Sequence, residues 1–198
     1  MTTLRFVEDD GKDIAERKNS LRAYMKEVRA GLDNKDVKAE RLTECALGWL
    51  EEQRERTGKN TVFAYLSFST EADTDGLIEG LQERGFAVCC PKIENGEMYA
   101  VRYSEDFTLS KLGIREPVGD KLTAAPDFVI TPLLAVDEKG NRLGYGKGYY
   151  DRYFTRFPTA IRIGYGFACQ VRKHVPCQEN DVAIQWLITE DGVTKITK

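Results

Sequence analysis

One histidine, His174, stands in the whole chain of 198 residues. Any Ser-His-Asp or Cys-His mechanism would therefore hang on a single side chain in a polar segment. No C-x-x-C pair occurs, and five cysteines cannot all pair within one chain. Cys169, His174 and Cys177 lie close in sequence, but their spacing matches none of the usual zinc patterns, so they read as loop residues of a reduced protein. There is no basic excess, the net charge being -3, which argues against a nucleic-acid binder. No run approaches the roughly 20 apolar residues needed to span a membrane. Residues 1–12 are polar and acidic, without the apolar stretch of a secretory signal, and read as a loose leader to a cytoplasmic protein. Repeats, low-complexity tracts and linkers rich in Pro, Gly or Ser are all missing, so one domain over 1–198 is the simplest expectation.

What is present is a change of period along the chain. Leu21, Met25, Val28 and Leu32 recur at helical spacing over 13–32. Lys18, Arg22 and Arg29 line a neighbouring stripe of the same helix. Asp33 or Asn34 then opens a second helix through about Arg56, with Leu42, Ala46, Trp49 and Leu50 turned inward. Beyond Asn60 the pattern becomes strand-like at 61–66, 86–93, 98–103, 128–131, 160–164 and 183–189. Helices are expected at 74–84 and after the glycines near 146. Asn95-Gly96 predicts a hairpin between 86–93 and 98–103. Cys89 and Cys90 should point to opposite faces of their strand. Strands alternating with helices predict an α/β three-layer sandwich with a largely parallel central sheet, the two N-terminal helices packing on it.

The most informative stretch runs from Gly140 to Arg152, GNRLGYGKGYYDR. Gly144, Gly146 and Gly148 alternate and a helix follows. Glycine permits close backbone approach and positive φ, the N–H groups of a helix start attract phosphate, and Arg142 and Lys147 add cations. Neither G-x-x-x-x-G-K-[ST] nor G-x-G-x-x-G is matched. A glycine-rich hairpin with solvated charges is the bland alternative.

The string RLGYGKGYYDRYF, preceded by PLLAVDEKGN, resembles the signature of the 5-formyltetrahydrofolate cyclo-ligase family. KNSLR at 18–22, LSFSTEADT at 66–74, GIREP at 113–117, PDFVITPLLA at 126–135 and ENDVAIQWLITEDG at 179–192 follow the family order. The resemblance implies an ATP- and Mg²⁺-dependent enzyme that converts 5-formyltetrahydrofolate to 5,10-methenyltetrahydrofolate. It places Lys18, Asn19, Ser20, Leu21 and Arg22 at ATP, together with Arg142, Leu143, Gly144, Tyr145, Gly146, Lys147, Gly148, Tyr149 and Tyr150. It places Leu66, Glu71 and the 145–149 segment at the folate, and Asp151 and Asp181 at the metal. Lys147, Arg142 and Tyr149 are the catalytic candidates. GIREP reads as a structural loop near the nucleotide. The partners expected are the two substrates alone, without nucleic acid or membrane, on a monomer. The competing readings are another ATP-dependent ligase, or a folate- or nucleotide-binding module, on the same scaffold. Fold class alone would also admit a sugar-phosphate isomerase or a CoA-transferase.

Overall fold

The computed structural model describes residues 13–110 and 113–197; the expected leader lies outside them. Helix α1 spans Ile14–Ala30 and begins where the Asp13 side chain accepts from the Glu16 N–H at 2.8 Å. Helix α2, Lys35–Thr57, starts from Asn34 in the left-handed region and ends on Gly58 at φ 72°, whose N–H donates to the Arg54 carbonyl. Then follow β1 (Thr61–Phe63), α3 (Asp75–Glu83), β2 (Ala87–Glu94), β3 (Glu97–Arg102), β4 (Phe107–Leu109), β5 (Arg115–Pro117) and β6 (Phe128–Pro132). The chain continues through β7 (Ala135–Val136), β8 (Arg142–Leu143), α4 (Tyr149–Arg156), β9 (Ile161–Tyr165), a 3₁₀ turn at Ala168–Gln170, β10 (Trp186–Thr189) and β11 (Gly192–Lys195).

Seven strands form one sheet in the order β11-β10-β9-β6-β1-β2-β3. The inner five are parallel; β3 and β11 run antiparallel at the edges. The Asp127 carboxylate accepts from the N–H groups of Asn60 and Thr61 at 2.9 and 3.0 Å, tying the start of β1 to the start of β6. Asn95 and Gly96 both have positive φ, and the hairpin expected from them pairs β2 with β3 from Glu94↔Glu97 to Cys89↔Arg102.

The sheet is covered on both faces. Leu42, Ala46, Leu50, Leu77, Ile78 and Leu81 of α2 and α3 pack on Val62, Val88, Cys90, Phe128 and Ile130. Tyr153 and Phe154 of α4 pack on Phe63, Cys89 and Val129 from the other side. Cys89 and Cys90 thus face opposite layers, as alternation requires. Each such buried aliphatic side chain contributes about 1.5–3 kcal/mol. Of the two N-terminal helices, α2 lies on the sheet. Helix α1 instead packs Leu21 and Met25 on Leu134, Ala135, Leu143 and Val175, over the segments that leave the sheet. The helical period shows that α1 has an apolar face but not which surface meets it.

Three pairings escape the periodic reading. Strands β4 and β5, β7 and β8, and the edge strand β11 are two to four residues long, too short to display alternation. Strand β1 ends at Phe63 rather than Leu66, although Ala64, Tyr65 and Leu66 stay buried. The β7–β8 hairpin turns on Gly140, at φ 78°, where a Cβ would stand 2.5 Å from the Ile184 carbonyl oxygen. Gly140→Ala is expected to cost about 2–4 kcal/mol, combining the left-handed penalty with a clash against backbone; urea unfolding at neutral pH measures it.

Candidate active site

In the strand order β10-β9-β6-β1-β2 the connections leave β1 toward β2 and leave β6 toward β9. The carboxyl ends of β1 and β6 are therefore the topological switch point, where chains diverge and a crevice opens. The segments that follow these two strands carry Leu66 to Glu71 and Leu133 to Tyr150. The residues singled out from sequence converge there because two separate crossovers begin side by side.

The segment after β1 is held by its own hydrogen bonds. Thr74 Oγ1 donates to the Tyr65 carbonyl at 2.7 Å, and Ser67 N–H donates to Thr74 Oγ1 at 3.1 Å. Phe68 N–H donates to Glu71 Oε2 at 3.0 Å, closing a tight turn in which Ser69 takes φ 59°. Leu66 points into the core beneath the turn. Burial pushes the Glu71 carboxyl above its ordinary 4.5; the Phe68 N–H, the Arg29 charge and the Tyr145 hydroxyl pull the other way. Burial likewise pushes the Tyr65 and Tyr150 hydroxyls well up, with Glu71 as their next cause.

The segment after β6 is organised by Asp137, a carboxylate that periodicity gave no reason to single out. It is buried and accepts from the N–H groups of Lys139, Asn141 and Val175, each at 3.0 Å, and from Asn141 Nδ2 at 2.9 Å. The D-x-x-G of Asp137 to Gly140 is the sequence signal of that turn. Gln170, also buried, donates to the Leu133 and Leu134 carbonyls at 2.5 and 3.3 Å.

The glycine loop then crosses α1. Arg22 Nε donates to the Gly144 carbonyl at 2.9 Å, and its Nη1 to Asn19 Oδ1 at 2.6 Å. A Cβ on Gly146, at φ 93°, would meet that guanidinium at 3.1 Å. Burial lowers the Arg22 pKa, opposed by the Asp181 charge. Gly148, at φ 65°, precedes the first turn of α4, and Lys147 is exposed. Tyr145, 43% exposed, lies under Lys26 at 5.6 Å from its ring centre. Tyr149 lies against Arg152 at 5.2 Å, and Arg142 stands over Tyr150 at 5.4 Å.

Both candidate metal carboxylates belong to this assembly. Asp151 Oδ1 accepts from Arg142 Nη2 at 3.3 Å and from Val182 N–H at 3.1 Å. Asp181 Oδ2 accepts from Gln178 N–H at 2.7 Å and pairs with the Lys18 ammonium. Lys18 is therefore not a solvated stripe residue: it is buried against Asp181 and Gln178. The Nε of Arg142 is buried with no hydrogen-bond partner among the described residues. Leu21 and Leu143 form part of the apolar cluster beneath, and Ser20 is half-buried on α1. Arg115 is held by other partners. It pairs with Asp75 at 2.5 Å, tying the β4–β5 hairpin to the first turn of α3. Cys169, His174 and Cys177 do not assemble; no group of three or more potential metal ligands exists among the described residues. No helix among them is long and apolar enough to cross a membrane.

Fold and site together define an α/β protein whose glycine loop, cations and carboxylates meet at the sheet's switch point. Residues 14–190 match the profile of the 5-formyltetrahydrofolate cyclo-ligase family, and the chain belongs to that family of enzymes. A 5-formyltetrahydrofolate cyclo-ligase of Escherichia coli K12 is 34% identical over 145 residues, covering 68% of this chain and 80% of that protein. One from Haemophilus influenzae is 29% identical over 182 residues, covering 85% and 95%. The solution structure of 5,10-methenyltetrahydrofolate synthetase from Aquifex aeolicus superposes with a TM-score of 0.76 at 28% identity, over 91% of this chain and 93% of that one. A synthetase of the same name from Mycoplasma pneumoniae, at 22% identity, shares the fold with a TM-score of 0.68.

Glu71 generates a prediction about stability. Its carboxyl is raised in the folded state, so the folded protein holds that proton more tightly than the unfolded chain does. The associated stabilisation is complete below the ordinary 4.5 and is lost as pH rises through the folded value. Arg29, Tyr65, Tyr145 and Tyr150 face it, and burial raises the three tyrosines further from that window. Glu71→Gln should therefore melt no lower than wild type at pH 7.5. The difference should move in the wild type's favour as pH falls through the raised folded value toward 4.5, and level off below it. Thermal unfolding across pH checks the sign.

Proposed function

We propose that this enzyme uses ATP to close the ring of 5-formyltetrahydrofolate, giving 5,10-methenyltetrahydrofolate, ADP and phosphate. The observation that carries the reading is the meeting, at the switch point, of the glycine loop with Lys18, Arg22, Arg142 and the carboxylates of Asp151 and Asp181. The family membership names the substrate class.

The formyl oxygen on N5 is a poor leaving group. Transfer of the γ-phosphoryl of ATP onto that oxygen releases ADP and makes the formyl carbon electrophilic. N10 then attacks that carbon, its proton passes to solvent, and the carbon–oxygen bond breaks with release of phosphate. Such transfers need positioning and charge stabilisation rather than a nucleophilic side chain, which suits a chain with one histidine. Gly146 and Gly148 let the backbone approach the phosphates, Lys147 extends from between them, and the first N–H groups of α4, which have no intrahelical acceptor, follow directly. The buried Nε of Arg142 is a donor in need of an acceptor, and a phosphate oxygen would satisfy it. Glu71 and Tyr145 form the folate side of the crevice, with Tyr149 at the junction; Leu66, buried in the core, supports the turn from below rather than lining it.

A divalent cation fits this donor set. Each of Asp151 and Asp181 has one oxygen engaged by N–H donors and cations, and one without a partner among the described residues. Mg²⁺ takes one or two carboxylates and completes its shell with phosphate and water. When bound, Mg²⁺ would neutralise charge on the phosphates. Lys18 and Arg142, now paired with these carboxylates, would turn their donors toward the phosphates.

Mixing the protein with 5-formyltetrahydrofolate, ATP and Mg²⁺ should produce the near-ultraviolet absorbance of the methenyl product, dependent on both substrates. ATP consumption at the same rate without folate, and no new absorbance, would show the reading to be wrong. Lys147→Ala should lower the rate at saturating substrates by at least about tenfold, with an unchanged melting temperature because the side chain is solvated. Asp151→Asn keeps an acceptor for Val182 and Arg142 but loses a charge. Turnover should fall by about 10²- to 10³-fold, with a raised Mg²⁺ requirement; steady-state rates against Mg²⁺ concentration test it.

A further inference from the structure

Arg29 lies in the last turn of α1 and is 1% exposed. A guanidinium does not shed its charge in a protein, so its burial demands acceptors in the plane of the fork. The fold supplies one for each nitrogen. Nε donates to Thr70 Oγ1 at 3.1 Å, Nη1 to the Leu133 carbonyl at 3.2 Å, and Nη2 to the Tyr145 hydroxyl at 2.5 Å. These acceptors belong to three segments far apart in sequence: the turn after β1, the end of β6 and the glycine loop. Thr70 and Tyr145 also line one open cleft with Lys26, Phe68 and Ser69. Glu71 follows Thr70 directly.

A buried charge is a poor device for stability alone, since well-packed apolar residues often serve as well or better. It is a good device for geometry, because a planar fork fixes the directions of its donors. We propose that Arg29 is a positioning residue: its fork sets the separation and orientation of Tyr145 and of the turn that carries Glu71, so that the folate meets both in one arrangement. This rests on the reading of Glu71 and Tyr145 as folate contacts. These bonds engage all three nitrogens of Arg29, and none of their acceptors belongs to Lys18, Arg22, Arg142 or Asp151. Its influence therefore falls on the folate side rather than on the phosphates.

The test measures KM for each substrate in wild type, Arg29→Lys, Tyr145→Phe and the double variant. Lysine keeps the charge and loses the fork. The expected result for Arg29→Lys is a KM for 5-formyltetrahydrofolate raised about tenfold or more, with that for ATP within about twofold of wild type. Because Arg29 acts through Tyr145, the double variant should be no more than about twofold worse than the more affected single one. A merely structural arginine would lower the melting temperature while leaving both KM values of the folded enzyme unchanged, and that result overturns the proposal. So does a parallel rise in both KM values. If Arg29→Lys does not fold, Thr70→Val and Tyr145→Phe take its place, each removing one acceptor and keeping Arg29. Their effects on the folate KM should overlap in the double variant, and independent effects overturn the proposal. A wild-type protein that forms no methenyl product defeats the proposed function itself, whereas an active wild type with flat variant kinetics defeats only the role of Arg29.

Discussion

The arrangement of this crevice depends on the burial of one positive charge. Arg29 cannot be neutralised, so the segments around it must keep their acceptors in place or expose a charge to an apolar interior. That requirement joins α1, the turn after β1, the end of β6 and the glycine loop at a single point. The same charge opposes the burial that pushes the Glu71 carboxyl upward, so the crevice keeps an acidic group in a setting that would otherwise favour its neutral form.

A second constraint works alongside the first and is free of net attraction between charges. Asp137 accepts four hydrogen bonds from two segments and thereby closes the β7–β8 hairpin from which the glycine loop departs. Gly140 lets that hairpin press against the Ile184 carbonyl. The loop beyond it is thus launched from a rigid base, while Tyr145 to Lys147 remain exposed. Rigidity beneath and exposure above suit a loop whose backbone must meet a ligand. The Nε of Arg142 is buried without a hydrogen-bond partner among the described residues, and local rules are most often broken where function demands it.

Much of the architecture could be read from pattern. Helices α1 and α2, the hairpin at Asn95-Gly96 and the opposed side chains of Cys89 and Cys90 follow from period and turn chemistry. The glycine loop and its following helix were legible because alternating glycines before an amphipathic segment have few other uses. Strands β4, β5, β7, β8 and β11 were not legible, since pairs two to four residues long are specified by their partners rather than by alternation. By period Lys18 and Arg29 were members of a basic stripe, and the resemblance placed Lys18 at ATP; that both are buried depends on Asp181, Thr70, Leu133 and Tyr145, at least 41 residues away.

Sequence alone determined the class of the fold, the family and the identity of most groups in the crevice, because these reside in local periodicity and in a contiguous motif. Only the tertiary structure decided which carboxylate each cation meets, that α1 packs over the segments leaving the sheet rather than on its face, and that Arg29 bridges three of them. Those facts are set by the strand order, which makes β1 and β6 neighbours although more than 60 residues separate them. Local pattern can mark a residue as charged and helical, but only long-range packing determines whether its charge faces water or a partner.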